Sequence, residues 1–226
     1  IFDRFFSTRK GGAGIGLSLA KEIEVLLNAD KTVYDSIDEK HKVLNAYCNA
    51  VGHKVSGEKV SVDCTKLCNV LNEMSSWIAD HIRKTEWITN KEGNSWFNGY
   101  YDNSGNAVEG DFSSGVRMML TGQVFAIMSG TATDEQVAKI VKSADDYLYD
   151  GAIGGYRLNT NFNEVKTDLG RMFGFAFGHK ENGAVFSHMA VMYANALYRR
   201  GFAKEGYKVI NSLYKHCHNY SVSCIY

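Results

Sequence analysis

The chain has no proline among its 226 residues, so no helix in it can be started, kinked or stopped by a fixed φ. Its punctuation must come from glycine, asparagine, aspartate, serine and threonine. Long apolar runs are missing too: none approaches the roughly 20 residues needed to span a bilayer, which predicts a soluble, cytoplasmic protein with no membrane partner. There is no excess of charge of either sign, since 25 basic residues balance 25 acidic ones. Without a basic field nothing concentrates nucleic acid at the surface, so nucleic acid is not an expected partner. Cysteines are few and odd in number, five in all, which suits reduced thiols rather than a disulfide framework. Cys64 and Cys68 sit one helical turn apart and His216-Cys217-His218 precedes Cys224. Neither group has the paired spacing of a zinc ribbon or finger, and no metal is expected.

What is present is globular: 45% hydrophobic against 22% charged residues, enough for one core with a small appendage. The chain starts without an initiator methionine and ends at Ser223-Cys224-Ile225-Tyr226, which reads as a fragment. Helical periodicity dominates. Ile37, His41, Leu44, Tyr47 and Cys48 recur at helical spacing, and Leu67, Val70, Leu71, Met74, Trp77, Ile78 and Ile82 trace one face of a long helix behind an Asp63 N-cap. Arg117 to Ser129 reads as an apolar helix with Gln123 off its inner face. Thr133 and Gln136 form a capping box ahead of Val137, Ile140, Val141, Ala144, Tyr147 and Leu148. Two further helices follow, with Phe186, Met189, Ala190, Tyr193, Ala196 and Leu197 inward in the first and Tyr207, Ile210 and Tyr214 inward in the second.

One aromatic stretch is strand-like. Trp96-Phe97-Asn98-Gly99-Tyr100-Tyr101 runs into the turn residues Asp102 to Gly105 and returns through Ala107-Val108, predicting a single β-hairpin among helices. Its aromatic rings are packing residues or platforms for the C–H face of a sugar. The loop from Gly154 to Glu164, rich in glycine and asparagine, is long for a passive link. Links that alternate between short and decorated favour stacked αα-hairpins over a uniform bundle, so the predicted class is mainly α.

The densest polar stretch is His179-Lys180-Glu181-Asn182-Gly183-Ala184-Val185-Phe186-Ser187-His188. It places an acid, bases and an amide at the mouth of a helix, where anions and polar ligands are held. At the other end, Gly12, Gly14 and Gly16 precede an amphipathic helix in Ile1–Ile23, an arrangement that can approach phosphates. The wording there resembles the phenylalanine box and second glycine box of sensor histidine kinases, which implies nucleotide binding at these glycines. Residues 1–24 are therefore set apart as a kinase-like leader.

From about residue 31 to 226 a different resemblance holds. Trp96-Phe-Asn-Gly-Tyr-Tyr-Asp-Asn-Ser-Gly-Asn, Leu120-Thr-Gly-Gln-Val-Phe-Ala-Ile-Met-Ser-Gly130 and Lys180-Glu-Asn-Gly-Ala-Val-Phe-Ser-His188 resemble successive signatures of glycoside hydrolase family 94. This is a family of inverting phosphorylases of β-linked glucosides, with members of the cellobiose phosphorylase type. The wording is closest to the 1,2-β-oligoglucan phosphorylase type. The resemblance implies an (α/α)6 barrel, here partial, and β-linked glucooligosaccharide and phosphate as ligands. It implies no cofactor, inorganic phosphate being the co-substrate. Lys180 and Glu181 fall on the donor-sugar residues and His188 on a phosphate contact, while Gln123 and Arg117 are further substrate-binding candidates.

The residues alone leave other readings open: Lys180 and Glu181 as a surface ion pair, His188 as a buried hydrogen-bonded histidine. The family's general acid belongs to an Asp-Trp-Asn-Asp-like motif that this sequence lacks, so the expected catalytic residues are none and the expectation is a fragment inactive alone. Its expected partner is a second copy or the remainder of the catalytic domain. A helical carbohydrate-binding or interaction module without chemistry is the alternative, and a kinase-derived nucleotide-binding remnant the third reading.

Overall fold

The computed structural model of the protein describes residues 36–51 and 63–218. The glycines of the kinase-like leader, Gly12, Gly14 and Gly16, lie outside the described residues. The chain divides into two compact units, residues 1–78 and 79–226.

In the first unit, α1 spans Ile37–Val51, with Asp38 and Glu39 placed favourably for the dipole in its first turn. Helix α2, Cys64–Thr85, starts there and ends in the second unit, closing on Arg83 and Lys84. Its predicted face is the less exposed one, with Leu67, Val70, Leu71, Met74 and Trp77 half-buried and Ile78 exposed.

The second unit is mainly helical with short antiparallel strand pairs. Strands β1 (Trp87–Thr89) and β2 (Ser95–Phe97) pair with Trp87 opposite Phe97. Their turn is set by Asn90, whose side-chain oxygen accepts from the backbone of Glu92 at 3.1 Å and Asn94 at 2.9 Å, and by Gly93 at φ 82°. The partner of the Trp96 strand is thus upstream and not the expected Ala107-Val108 return. That return survives as a tight loop, with a bridge from Tyr101 to Ala107 and a bond from Val108 N–H to the Tyr100 carbonyl at 3.0 Å. Strands β3 (Gly110–Phe112) and β4 (Gly115–Arg117) form a second pair, and β5 (Tyr149–Asp150) with β6 (Gly155–Tyr156) a third.

Helix α3 runs Leu120–Met128, so Arg117 belongs to a strand and not to the predicted helix. The reason is local: Arg117 pairs with Gly110 across β3–β4, and the backbone of Met118 to Leu120 bonds to residues 158–160 before the helix begins. Helix α4, Asp134–Tyr147, carries the predicted capping box, with Thr133 accepting from Gln136 N–H and Gln136 accepting from Thr133 N–H. Helices α5 (Ser187–Arg199) and α6 (Ala203–Cys217) are separated by Gly201 at φ 81°.

Strand β2 lies against α4 and α3, α3 against α5, and α5 against α6. Trp96, Leu120, Val124, Ile127, Val137, Ile140, Ala144 and Leu197, all fully buried, form the centre of this core. Trp96 is therefore no sugar platform, whereas Tyr100 and Tyr101 are about half exposed. The predicted inner stripe of α5 is the observed one, from Met189 to Leu197. On α6 Ile210 packs on the core as expected, but the face is rotated at the tyrosines: Tyr207 and Tyr214 are more than 60% exposed, while Val209 is buried and Leu213 packs on the core. Gly206 explains the rotation. A Cβ there would sit 3.1 Å from the Ala194 carbonyl oxygen and 3.2 Å from the Tyr198 ring, so the closest approach of α5 and α6 requires glycine inward and turns Tyr207 out.

Candidate functional site

The stretch 178–183 folds into a tight turn ahead of α5. Gly178 N–H bonds to the Asn182 carbonyl at 2.7 Å and Asn182 N–H to the His179 carbonyl at 3.0 Å. Lys180 sits at its tip with φ 46°, a left-handed conformation uncommon for a side chain of its kind. Its exposed ammonium lies 5.3 Å from the centre of the Phe175 ring.

Glu181 is half-buried. One carboxylate oxygen pairs with Arg171 at 2.9 Å, and the other, Oε2, is buried with no hydrogen-bond partner. A buried acceptor left unpaired is costly and rare in folded proteins.

Polar contacts beneath the turn fix its shape. Asn159 is fully buried; its side-chain oxygen accepts from Gly183 N–H at 2.7 Å and its amide donates to Asn182 Oδ1 at 3.2 Å. Asn182 in turn donates to the Phe175 carbonyl at 2.8 Å. Arg157 donates to the Gly183 carbonyl at 2.6 Å and grips Asp150 with two nitrogens, at 3.0 and 2.8 Å. Gly183 itself, at φ 76°, could not carry a side chain, since a Cβ would fall 2.3 Å from the Phe177 ring. The asparagine- and glycine-rich loop from Gly154 to Glu164 is thus the base on which the Lys180–Glu181 turn stands.

From the turn, buried Ala184 and Val185 lead to α5. The helix has Phe186 as N-cap and no side-chain capping bond, so first-turn N–H groups are left for other acceptors. His188 is the second residue of the helix and is exposed, its ring 5.9 Å from that of Phe186. The buried, hydrogen-bonded reading of His188 does not hold, and the plain ion pair of Lys180 with Glu181 is replaced by a pair between Glu181 and Arg171.

Two candidates are placed elsewhere. Gln123 is fully buried: its oxygen accepts from Phe97 N–H at 2.9 Å and its amide donates to the Phe97 carbonyl at 2.8 Å. Both ends of the amide are thereby spent on locking α3 to β2, so Gln123 is not offered to a ligand. Arg117 is 6% exposed, bridges to Glu164 at 2.8 Å and stacks 4.1 Å from the Phe112 ring centre. It ties β4 to the 161–165 loop rather than pointing at a substrate.

Glu109 is a residue that sequence reasoning misses. This carboxylate is 2% exposed at the floor of an apolar groove of about 850 Å³ along α3. It accepts from Gly99 N–H at 2.8 Å and Met119 N–H at 2.7 Å. Burial pushes its pKa up to about 8, against the pull of these two bonds. No periodicity singles out one glutamate in a loop, and only the fold shows it to be internal.

The Glycosyl hydrolase 94 superfamily catalytic-domain profile matches residues 61–223. The chain belongs to this superfamily. Its match takes in both the aromatic β2 segment and the Lys180–His188 stretch, in agreement with the resemblance drawn from the motifs. Cellobionic acid phosphorylase of Neurospora crassa is 31% identical over 85 residues, covering 38% of this chain and 11% of that protein. Solabiose phosphorylase of Paenibacillus borealis is 26% identical over 122 residues, covering 54% of this chain and 15% of that one. The aligned stretches thus span less than a fifth of either relative, and this chain is a phosphorylase-like segment of the superfamily. Among the described residues no helix is long and apolar enough to cross a membrane.

Proposed function

We propose that the chain carries the donor-sugar and phosphate wall of an inverting β-glucoside or β-glucan phosphorylase of the glycosyl hydrolase 94 superfamily. The observation that carries this reading is the turn that holds Lys180 exposed at its left-handed tip with half-buried Glu181 beside it. A sugar hydroxyl would donate to the Glu181 carboxylate, while the Lys180 ammonium would donate to an oxygen of the same ring. His188, exposed in the first turn of α5, would meet the phosphate, where a ring N–H donor and the first-turn backbone N–H groups both favour an anion.

In such a reaction a phosphate oxygen attacks the anomeric carbon as the C1–O bond breaks on the opposite face. A carboxylic acid delivers its proton to the departing glycosidic oxygen, and the product is α-glucose 1-phosphate. The 226 residues contain no Asp-Trp-Asn-Asp sequence to supply that acid. The chain alone therefore binds and does not turn over. The other hairpins of an (α/α)6 barrel, from the remainder of a catalytic domain, would complete it, and the setting is the cytoplasm.

Incubation with phosphate and β-linked glucose disaccharides tests both halves of this statement. The expected result is no glucose 1-phosphate, together with glucose binding that falls about 10- to 100-fold in Lys180→Ala. Formation of glucose 1-phosphate would contradict the missing acid. Binding unchanged in Lys180→Ala would contradict the site.

A further inference from the structure

Among the described residues Tyr207 and Tyr214, both on α6, are the most exposed aromatics, at 61% and 62%. They are not scattered singly. Seven residues apart, they stand on one face of the helix, two turns or about 10.5 Å from each other at 1.5 Å per residue. Asn211, half-buried, falls between them on the same face. Tyr198, at the end of α5, is 44% exposed and reaches α6 just before Tyr207: its ring lies 3.2 Å from where a Cβ on Gly206 would stand.

The row is held in place. His218 packs on the Tyr214 ring at 4.4 Å between centres and donates from Nδ1 to the Tyr214 carbonyl at 2.9 Å. Tyr207 follows directly on the close crossing at Gly206, which fixes the backbone beneath it. A row presented by packed helix loses little order on binding. Its width then decides what it fits. At ~150–250 Å² per aromatic side chain, the exposed parts of the three tyrosines come to roughly 250–400 Å², well under the ~800 Å² per partner of a stable protein interface. Such a strip suits a chain one sugar wide. Tyrosine faces pack on the C–H faces of pyranose rings, while Asn211 and the phenol hydroxyls bond to sugar hydroxyls. The separation of Tyr207 and Tyr214 matches two hexopyranose units of an extended β-1,4-linked chain, in which alternate units turn the same face to one side.

We infer that the outer face of α6 is a surface track for an extended β-1,4-linked glucan, separate from the Lys180–Glu181 turn. The choice of a glucan rests on the phosphorylase reading above, whereas the width and the spacing of the row stand without it. Helices α5 and α6 pack as a hairpin, so the Tyr214 end of the track lies beside the start of α5. A bound chain therefore runs toward the end of the hairpin at which the candidate site stands.

Affinity electrophoresis through gels containing hydroxyethyl cellulose, a soluble β-1,4-glucan, tests it, with soluble starch as the α-linked control. Lys180→Ala is run beside the wild type to remove the contribution of the donor site. Both chains are expected to be retarded by the β-glucan and not by starch. Tyr207→Ala and Tyr214→Ala, at positions too exposed to carry the fold, are each expected to weaken binding about three- to tenfold. The double variant is expected to abolish it, and the corresponding phenylalanine variants to keep it. Cellobiose, too short to touch both rings, is expected to compete at least about tenfold more weakly than cellohexaose. The track is overturned if the chain is not retarded, if starch retards it equally, or if the double alanine variant is retarded like the wild type. It is also overturned if the wild type self-associates in sedimentation and the double variant does not, which would make this face an interface between copies. Failure of the donor site looks different: glucose binding is then unaffected by Lys180→Ala, while retardation and its loss in the tyrosine variants remain.

Discussion

At the scale of single residues, the turn that presents Lys180 and Glu181 depends on side chains that never reach the surface. Asn159→Ala leaves Gly183 N–H and Asn182 Oδ1 without their partner inside the fold, a cost of about 1–3 kcal/mol per buried group. The expected outcome is a lower melting temperature and loss of glucose binding in a chain that remains folded by circular dichroism. Glu109 makes a separate prediction. Its folded pKa, about 8 against the ordinary carboxylate value of 4.5, means that the native state holds a proton which the unfolded state releases. The sign follows from linkage: its contribution to stability is full below about pH 4.5, declines as pH rises toward 8 and is flat beyond. Thermal melts of the wild type should fall through that window, whereas Glu109→Gln should flatten the decline even though its amide meets the Met119 N–H with the wrong polarity. An unchanged slope in the variant would show that another group sets it.

At the scale of elements, the boundaries follow local chemistry closely where a side chain caps the helix. Thr133→Ala removes the acceptor for Gln136 N–H and is expected to cost about 1 kcal/mol, measured by denaturant unfolding. The capping box, the α5 stripe and the Gly201 stop were all legible in the sequence, because each rests on neighbours three or four positions apart. Long-range pairing was not. Trp96 could be seen to lie in a strand, yet its partner at Ile88 could not be told from the Ala107 return. Arg117 looked helical until β3 claimed it. The face of α6 is legible at Ile210 but not at Tyr207 and Tyr214, for a related reason: aromatic residues suggest an inward stripe, but the close crossing at Gly206 sets the rotation. Replacing Gly206 with valine should drive α5 and α6 apart and lower stability by a few kcal/mol, roughly the cost of overpacking a core.

At the scale of the whole molecule, the mainly α class and the superfamily were readable because ordered motifs carry more information than any helix pattern. The candidate site is legible in part. Lys180, Glu181 and His188 stand together on one turn and the helix it feeds, but their supports, Asn159, Asn182 and Arg157, come from a loop whose sequence signals only an abundance of hydrogen-bonding groups. Gln123 stood out for its polarity within an apolar segment, and the structure spends that polarity on the backbone of Phe97. Burial, which decides between these roles, is a property of the folded chain and has no local signal.

The central claim is that one turn holds the sugar and the next helix start holds the phosphate. Glucose 1-phosphate contains both groups, so its affinity compared with that of glucose separates the two. Calorimetric titration of both ligands should show Lys180→Ala and Glu181→Gln weakening glucose and glucose 1-phosphate alike. His188→Ala should weaken glucose 1-phosphate by about tenfold and leave glucose unchanged. Equal affinities for glucose 1-phosphate in the wild type and in His188→Ala would contradict the account.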